Sequence, residues 1–320
     1  MGSHHVAVLA GGLSLEREVS LRSGRRVAEA LSSRGYDVAE LDLDSGLVPR
    51  LRQGDLDAVV LALHGRAGED GTVQALLELL DVPYTGPGAT ASALAWDKAI
   101  FKGMCARADV PTPAWVTIAS DAIRDLGGAA ALEAFGQRLA GPLVVKPSQG
   151  GACMGVRFVD SPGGLHEALV AAFSYHDVVV VEQFVSGTEI AITILDGEPL
   201  PAVEIHPKVG RYDFSARYTY GATDFYAPAR LDDATLARAE EAALAAWELT
   251  GCRDIARADL IVGNDGTPSI LELDTCPGMT ETSLVPMAAS AAGIPFGELC
   301  ERLVGFTQRR GGAASPGLDA

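Results

Sequence analysis

Basic residues are scarce in this chain of 320 residues: 25 Lys and Arg face 42 Asp and Glu, for a formal net charge of -17. A protein that grips nucleic acid needs a basic stripe against the phosphates, and none is present, so nucleic acid is excluded as a partner. Aromatic residues make up 6% of the chain and hydrophobic residues 48%. The cores must therefore be built from small and branched aliphatic side chains. Cysteine is sparse as well. Cys105, Cys153, Cys252, Cys276 and Cys300 lie far apart, and no CxxC pair offers a structural zinc site. Their odd number and wide spacing suit reduced thiols and a cytoplasmic location. No signal peptide and no apolar run long enough to span a bilayer is found, so no membrane partner is expected. Internal repeats are absent too, and Met1–His5 is given no function.

What is present is length for two or three modules. His5–Ala10 reads as a strand running into Gly11-Gly12, and a helix follows from about Glu16 to Arg34. Asp37–Leu43 and Ala58–Leu63 read as further strands, with a helix over Thr72–Leu80. Strands alternating with helices predict a mostly parallel sheet. A boundary is expected near Ala95, then a helix over Trp96–Ala108. Leu143–Lys146 and Val156–Val159 are expected to form a hairpin over a Gly-rich loop, followed by a helix at Gly163–Phe173 and a strand at Val178–Glu182. Glu189–Leu195 and Leu200–Ile205 should pair across Asp196-Gly197. Residues 206–230 look irregular, and a loop of that length is usually functional or disordered. Asp232–Thr250 is an amphipathic helix, Ala256–Val262 and Ser269–Leu273 pair across Asn264-Asp265-Gly266, and a last helix covers Pro295–Phe306. From Arg309 the composition predicts a mobile tail.

The sharpest chemical signal lies in the last hairpin. Asp259 is on one strand, and Glu272 and Asp274 are on the other, one residue apart and so on one face. Three converging carboxylates repel one another unless cations sit among them, and hard oxygen donors suit Mg2+ or Mn2+ beside nucleotide phosphates. A solvated acidic edge is the competing reading, but Leu260, Ile261, Ile270, Leu271 and Leu273 place the hairpin in a core. Lys146 closes the apolar strand LVVK before a Gly-rich loop, where its charge can meet a phosphate. Lys98 opens a helix. Either lysine alone is more often a surface residue. The loop Gln149–Gly155 is small enough for backbone N–H groups to approach phosphates, though by itself it reads equally as a plain turn. Glu182 ends a buried strand and is followed by Phe184 and Val185, which suits an adenine flanked by apolar walls and a carboxylate for ribose hydroxyls; core packing is the bland alternative. His64, in LHGRAGEDG, and Glu16 follow parallel strands at the sheet edge where α/β folds bind ligands. The GxGxxG spacing is absent, which argues against a dinucleotide.

Together these pieces resemble the D-alanine–D-alanine ligase family of ATP-grasp enzymes over about Val6 to Phe306. The resemblance is carried by GGLSLEREVSLRSG from Gly11, LHGRAGEDG from Leu63, PYTGPGATASALAWDK ending at Lys98, VVKP from Val144, YDFSARY from Tyr212 and ELDTCPGMTETSLVP from Glu272. It implies an α/β and α+β architecture: an N-terminal parallel-sheet α/β domain (1–95) before a two-lobed ATP-grasp fold (96–183 and 184–308), with a tail at 309–320. It implies that Lys98 and Lys146 bind ATP phosphates, that Glu182 and Glu189 hold adenosine, and that Asp259, Glu272 and Asp274 carry two Mg2+ ions. Glu16 would bind the first amino group. Arg257 and the Gly278 N–H would stabilise an oxyanion, and Ser283 and Leu284 would hold the second carboxylate. Tyr218 and Arg217 would lie on a lid over about His206–Pro228, and the family's members are often homodimers. The activity implied is an ADP-forming ligation of two D-alanines for peptidoglycan precursors, through an acyl phosphate.

Four positions depart from the family pattern. Ala152 and Cys153 stand where paired serines are common, and the first serine would link Glu16 to Tyr218. Arg217 replaces the lid lysine, and Asp274 replaces an asparagine metal ligand. These departures keep open a dipeptide or amide ligase of specialised metabolism with other amino acids. A nucleotide-binding regulator without catalysis is the third reading, which the acidic cluster and Arg257 oppose.

Overall fold

The computed structural model describes residues 4–126, 128, 139, 141–212, 216, 219 and 221–310. The chain opens with strand β1 (His5–Ala10), helix α1 (Arg17–Ser32), β2 (Asp37–Asp42), α2 (Leu47–Leu51), β3 (Ala58–Leu61) and α3 (Thr72–Leu79). The three strands form a parallel sheet in the order β2-β1-β3. Along β1 the pleat sends Val6, Val8 and Ala10 to one face and Ala7 and Leu9 to the other, and both faces are buried. That explains why the strand is an unbroken apolar run.

Helices α4 (Ala89–Trp96) and α5 (Lys98–Arg107) follow. The helix anticipated from Trp96 thus starts at Lys98, because Asp97 caps it by accepting from the N–H groups of Ala99 and Ile100. The boundary anticipated near Ala95 falls inside α4. Then come β4 (Trp115–Ala119), α6 (Ser120–Leu126), β5 (Leu143–Pro147), β6 (Arg157–Val159), α7 (Leu165–Phe173) and β7 (Val178–Gln183). The four strands make an antiparallel sheet, β4-β7-β5-β6, over their own apolar cluster.

The remainder is β8 (Gly187–Leu195), β9 (Glu198–Pro199), β10 (Val203–Pro207), β11 (Thr223–Tyr226), α8 (Asp233–Thr250), β12 (Ile255–Gly263), β13 (Pro268–Asp274), α9 (Leu284–Ala291) and α10 (Phe296–Arg310). Its sheet runs β11-β10-β8-β12-β13, with β9 paired to β8. One face of β8 (Ile190, Ile192, Ile194) packs with the alanines of α8, and the other (Ala191, Leu195) shares a core with β1, α1 and α10. The strand anticipated from Leu200 begins at Val203, since Pro201 has no N–H for a ladder. The stretch read as irregular contains β11, paired antiparallel to β10. Helix α10 continues past Phe306 to Arg310, held by Arg309 to Asp196 at 2.6 Å and by Arg310 to buried Asp254 and the Tyr84 carbonyl. Arg309 and Arg310, anticipated as the start of the tail, are therefore helical, and residues 311–320 lie outside the described residues. No described helix is long and apolar enough to cross a membrane.

Candidate active site

The hairpin β12–β13 sets the site's geometry. Asp259 sits opposite Glu272, and Arg257 opposite Asp274. The Arg257 guanidinium grips Asp259 with two bonds of 2.6 and 2.7 Å and reaches Asp274 at 3.0 Å. Asp274 also accepts the Cys276 N–H at 3.1 Å. Glu272 faces Lys98, 3.0 Å away. Among the described residues, no three acids form a ready metal-holding group, with or without His or Cys. Of the anticipated acidic cluster, Asp259 and Asp274 thus share Arg257, and Glu272 pairs with Lys98.

Lys98 is the first residue of α5, and its ammonium donates to the Gly150 carbonyl at 2.8 Å. The helix start is locked to the Gly-rich loop through Asp97, which accepts from Ser148 at 2.5 Å and Gln149 at 3.0 Å. Burial pulls the Lys98 ammonium pKa down, but the charge and hydrogen bond of Glu272 together with the charges of Glu69 and Cys153 outweigh it and the net shift is upward, so Lys98 stays charged. In that loop Ala152 and Cys153 both adopt left-handed backbone, φ 51° and 57°, at a cost of about 1–2 kcal/mol each. A Cβ on Gly151 would lie 2.4 Å from Glu16 Oε1, so only glycine lets Glu16 and the loop approach so closely.

Lys146 meets Glu182 at 2.6 Å, and the second Glu182 oxygen meets Lys102 at 2.9 Å. Burial pushes the Glu182 carboxyl up, yet the two lysines overcome it and hold it below the usual range. Each oxygen thus faces a lysine, and Glu182 lines the larger of the two cavities described below. Lys102 was not anticipated, although its position one turn after Lys98 was visible.

His64 is buried. Its Nδ1 lies 2.9 Å from the Cys276 carbonyl and its Nε2 2.8 Å from Ser23 Oγ, which accepts the Met279 N–H at 3.1 Å. A carbonyl only accepts, so Nδ1 carries the proton and Nε2 accepts from Ser23. Burial is the main cause of a pKa lowered to about 4, and the imidazole is neutral. The ring therefore braces the segment Cys276–Met279 rather than presenting a free nitrogen.

Two cavities result. The larger, about 470 Å³, is lined by Lys98, Lys146, Glu182, Phe184, Val185, Glu189, Asp259 and Glu272 among others. The smaller, about 190 Å³, is lined by Glu16, His64, Lys98, Ala152, Arg257, Glu272, Asp274, Gly278, Ser283 and Leu284, with the unanticipated Glu69. Lys98, Gly150, Gly151, Tyr212 and Glu272 line both, so the cavities meet there. Ser283 caps α9 with extended backbone, and its hydroxyl bonds the N–H and hydroxyl of Thr280. Arg217 and Tyr218 lie outside the described residues, as does part of the anticipated lid.

Comparison with known proteins adds independent findings. A family model described as D-ala D-ala ligase C-terminus matches residues 104–305, and one described as D-ala D-ala ligase N-terminus matches residues 48–87. A D-alanine–D-alanine ligase of an Anaeromyxobacter species (strain Fw109-5) is 47% identical over 93% of this chain and 95% of its own length. A crystal structure of the D-alanine–D-alanine ligase from Bacillus anthracis superposes with a TM-score of 0.84 at 32% identity, covering 96% of this chain and 98% of that one. The same enzyme complexed with ATP gives a TM-score of 0.82 at 31% identity, with the same coverage.

Proposed function

The chain belongs to the D-alanine–D-alanine ligase family, and from that premise we propose that it joins two D-alanines into D-alanyl-D-alanine for cell-wall precursors, consuming ATP and releasing ADP and phosphate. The observation that carries this reading is the junction of the two cavities at Lys98 and Glu272. The larger suits a nucleotide, the smaller a pair of small amino acids, and phosphate transfer belongs where they meet.

Attack of a carboxylate on a phosphate brings two anions together, so the site must offset their repulsion. Lys98 stands at the junction and Lys146 further into the larger cavity, and both supply positive charge there. Asp259, Glu272 and Asp274 offer carboxylate oxygens only, a donor set that fits Mg2+, with Mn2+ as substitute. The surrounding acid is in surplus: burial, Asp274 and Glu16 are the leading causes that push the Glu69 carboxyl well above its usual range. Two such ions would offset the phosphate charge when bound.

In this reading Glu16 orients the first amino group beside Gly151. Once the acyl phosphate forms, the second amine attacks it and a tetrahedral oxyanion develops. Arg257 and the Gly278 N–H stabilise that charge, a contribution of about 3–4 kcal/mol in comparable sites. The N-terminus of α9, at Ser283 and Leu284, receives the second carboxylate, where the helix dipole favours an anion. His64 keeps the Cys276–Met279 segment in place beneath it.

A second reading has a specific basis. Ala152 lines the smaller cavity and Cys153 the larger, and neither offers the hydroxyl common in the family. This favours a related dipeptide ligase with a different amino-acid pair. Phosphate release from ATP and Mg2+, measured with a panel of amino acids and read with mass spectrometry of the products, decides between them. D-Alanine alone should give phosphate and the dipeptide. Turnover only with another pair would overturn the first reading in favour of the second.

A further inference from the structure

Lys102 has no solvent exposure at all, and it lines neither cavity. Its ammonium lies 2.9 Å from Glu182 and donates to Thr112 Oγ1 at 2.5 Å. Thr112 in turn donates to the Ile270 carbonyl at 2.9 Å. Glu182 reaches on to Lys146 at 2.6 Å. One buried ammonium thus ties α5 to β7, through Glu182 to β5, and through Thr112 to β13 two residues before Glu272. Lys102 follows Lys98 by four residues, so both project from one face of α5.

Burying an ammonium is costly, and an aliphatic side chain would fill the same slot without that cost. The arrangement makes sense through its charge count. Glu182 with Lys146 alone is neutral, and the carboxylate would hold that ammonium for itself. With Lys102 present the group carries one net positive charge, and the lysine at the cavity wall is Lys146.

We propose that Lys102 is a positioning residue for nucleotide binding: it engages Glu182 from behind and so leaves Lys146 with charge to offer the phosphates. This rests on the reading of the larger cavity as the nucleotide site. The groups facing Lys102 are Glu182 on β7, Lys146 on β5, Thr112 before β4 and the Cys105 thiol on its own helix, the last pushed up to about 11, chiefly by burial. Burial is the main cause that lowers the Lys102 pKa to about 8, against the attraction of Glu182. The net positive charge therefore disappears as pH rises through that value.

The test is ADP binding in the presence of Mg2+, followed by calorimetry from about pH 7 to about pH 9, where no bond is made or broken. Wild-type affinity should fall roughly tenfold across that range, as the loss of one favourable charge contact implies. Lys102→Met should bind roughly tenfold more weakly at pH 7 and show no step. Lys102→Arg keeps the charge and should bind without a step. In turnover, Lys102→Met should raise KM for ATP and leave kcat and the KM for amino acid near wild type. Should the Met variant fail to fold, Thr112→Val keeps every charge, removes an acceptor for the ammonium, and should move the step to lower pH. Wild type that binds ADP with no pH step, or Thr112→Val with an unmoved one, overturns the role of Lys102 alone. Wild type that fails to bind ADP at any pH overturns the nucleotide reading with it.

Discussion

Acid should loosen the joint between α1 and the Cys276–Met279 segment through one residue, His64. In the folded protein its pKa is lowered to about 4 from the ordinary 6.5, first by burial. A histidine with a lowered folded pKa is protonated more readily in the unfolded chain. Stability linked to it is therefore present above pH 6.5 and is lost as pH falls towards 4. At about 1.4 kcal/mol for each pH unit, the loss reaches about 2 kcal/mol at pH 5 and about 3 kcal/mol when the ring protonates in the fold. Protonation also turns Nε2 from acceptor into donor, so the Ser23 hydroxyl proton loses its acceptor. Glu69, whose carboxyl burial pushes up, takes up protons as well, so the comparison must be a difference. His64→Gln keeps a donor and an acceptor but does not titrate. Urea unfolding of both proteins at pH 7 and pH 5 isolates the histidine. The stability advantage of wild type over the variant should shrink by about 2 kcal/mol between the two pH values. A constant difference would refute the neutral, Nδ1-protonated assignment and the bracing role drawn from it.

Glu272→Gln removes the partner of Lys98 and one proposed ion ligand; turnover should fall by about two orders of magnitude with unchanged circular dichroism, and near-normal ATP consumption would contradict the assignment. Gly151→Ala puts a methyl 2.4 Å from Glu16 Oε1. It should raise KM for the first amino acid roughly tenfold, the effect of about 1–2 kcal/mol of displacement, while KM for ATP holds; equal effects on both would mean that the loop, rather than Glu16, had moved. Arg310→Ala leaves buried Asp254 without its guanidinium and should cost about 3 kcal/mol at pH 7, read as a lower thermal midpoint. A midpoint like wild type would show that α10 is not pinned at that end.

The elements that could be read from sequence are those whose pattern is local. Asn264-Asp265-Gly266 marks a turn, the strands on either side alternate, and the hairpin carrying Asp259, Glu272 and Asp274 follows, with Gly266 at φ 77°. Helix α4 escaped because Ala89–Trp96 is nearly all small residues, with no apolar stripe to reveal a period. Strand β11 escaped because Thr223–Tyr226 sits among turn-forming residues and gains its identity only by pairing with β10.

The site divides in the same way. Its acids and lysines carry their chemistry in their residue type, and strand ends and loop glycines gave their approximate place. What could not be read is who partners whom. The grip of Arg257 on Asp259 depends on side chains two residues apart and on a register that a bulge resets between Asp259 and Leu260. The His64 chain joins residues 41 and 212 positions away. A lysine four residues after another on a short helix looks like solvent-facing charge, and only the ion pair with Glu182 and the Thr112–Ile270 contact reveal Lys102 as an inward group. Sequence therefore names the charges of this site, while tertiary packing decides how they neutralise one another. The balance of charge left over after that pairing is what a nucleotide and a pair of amino acids would meet.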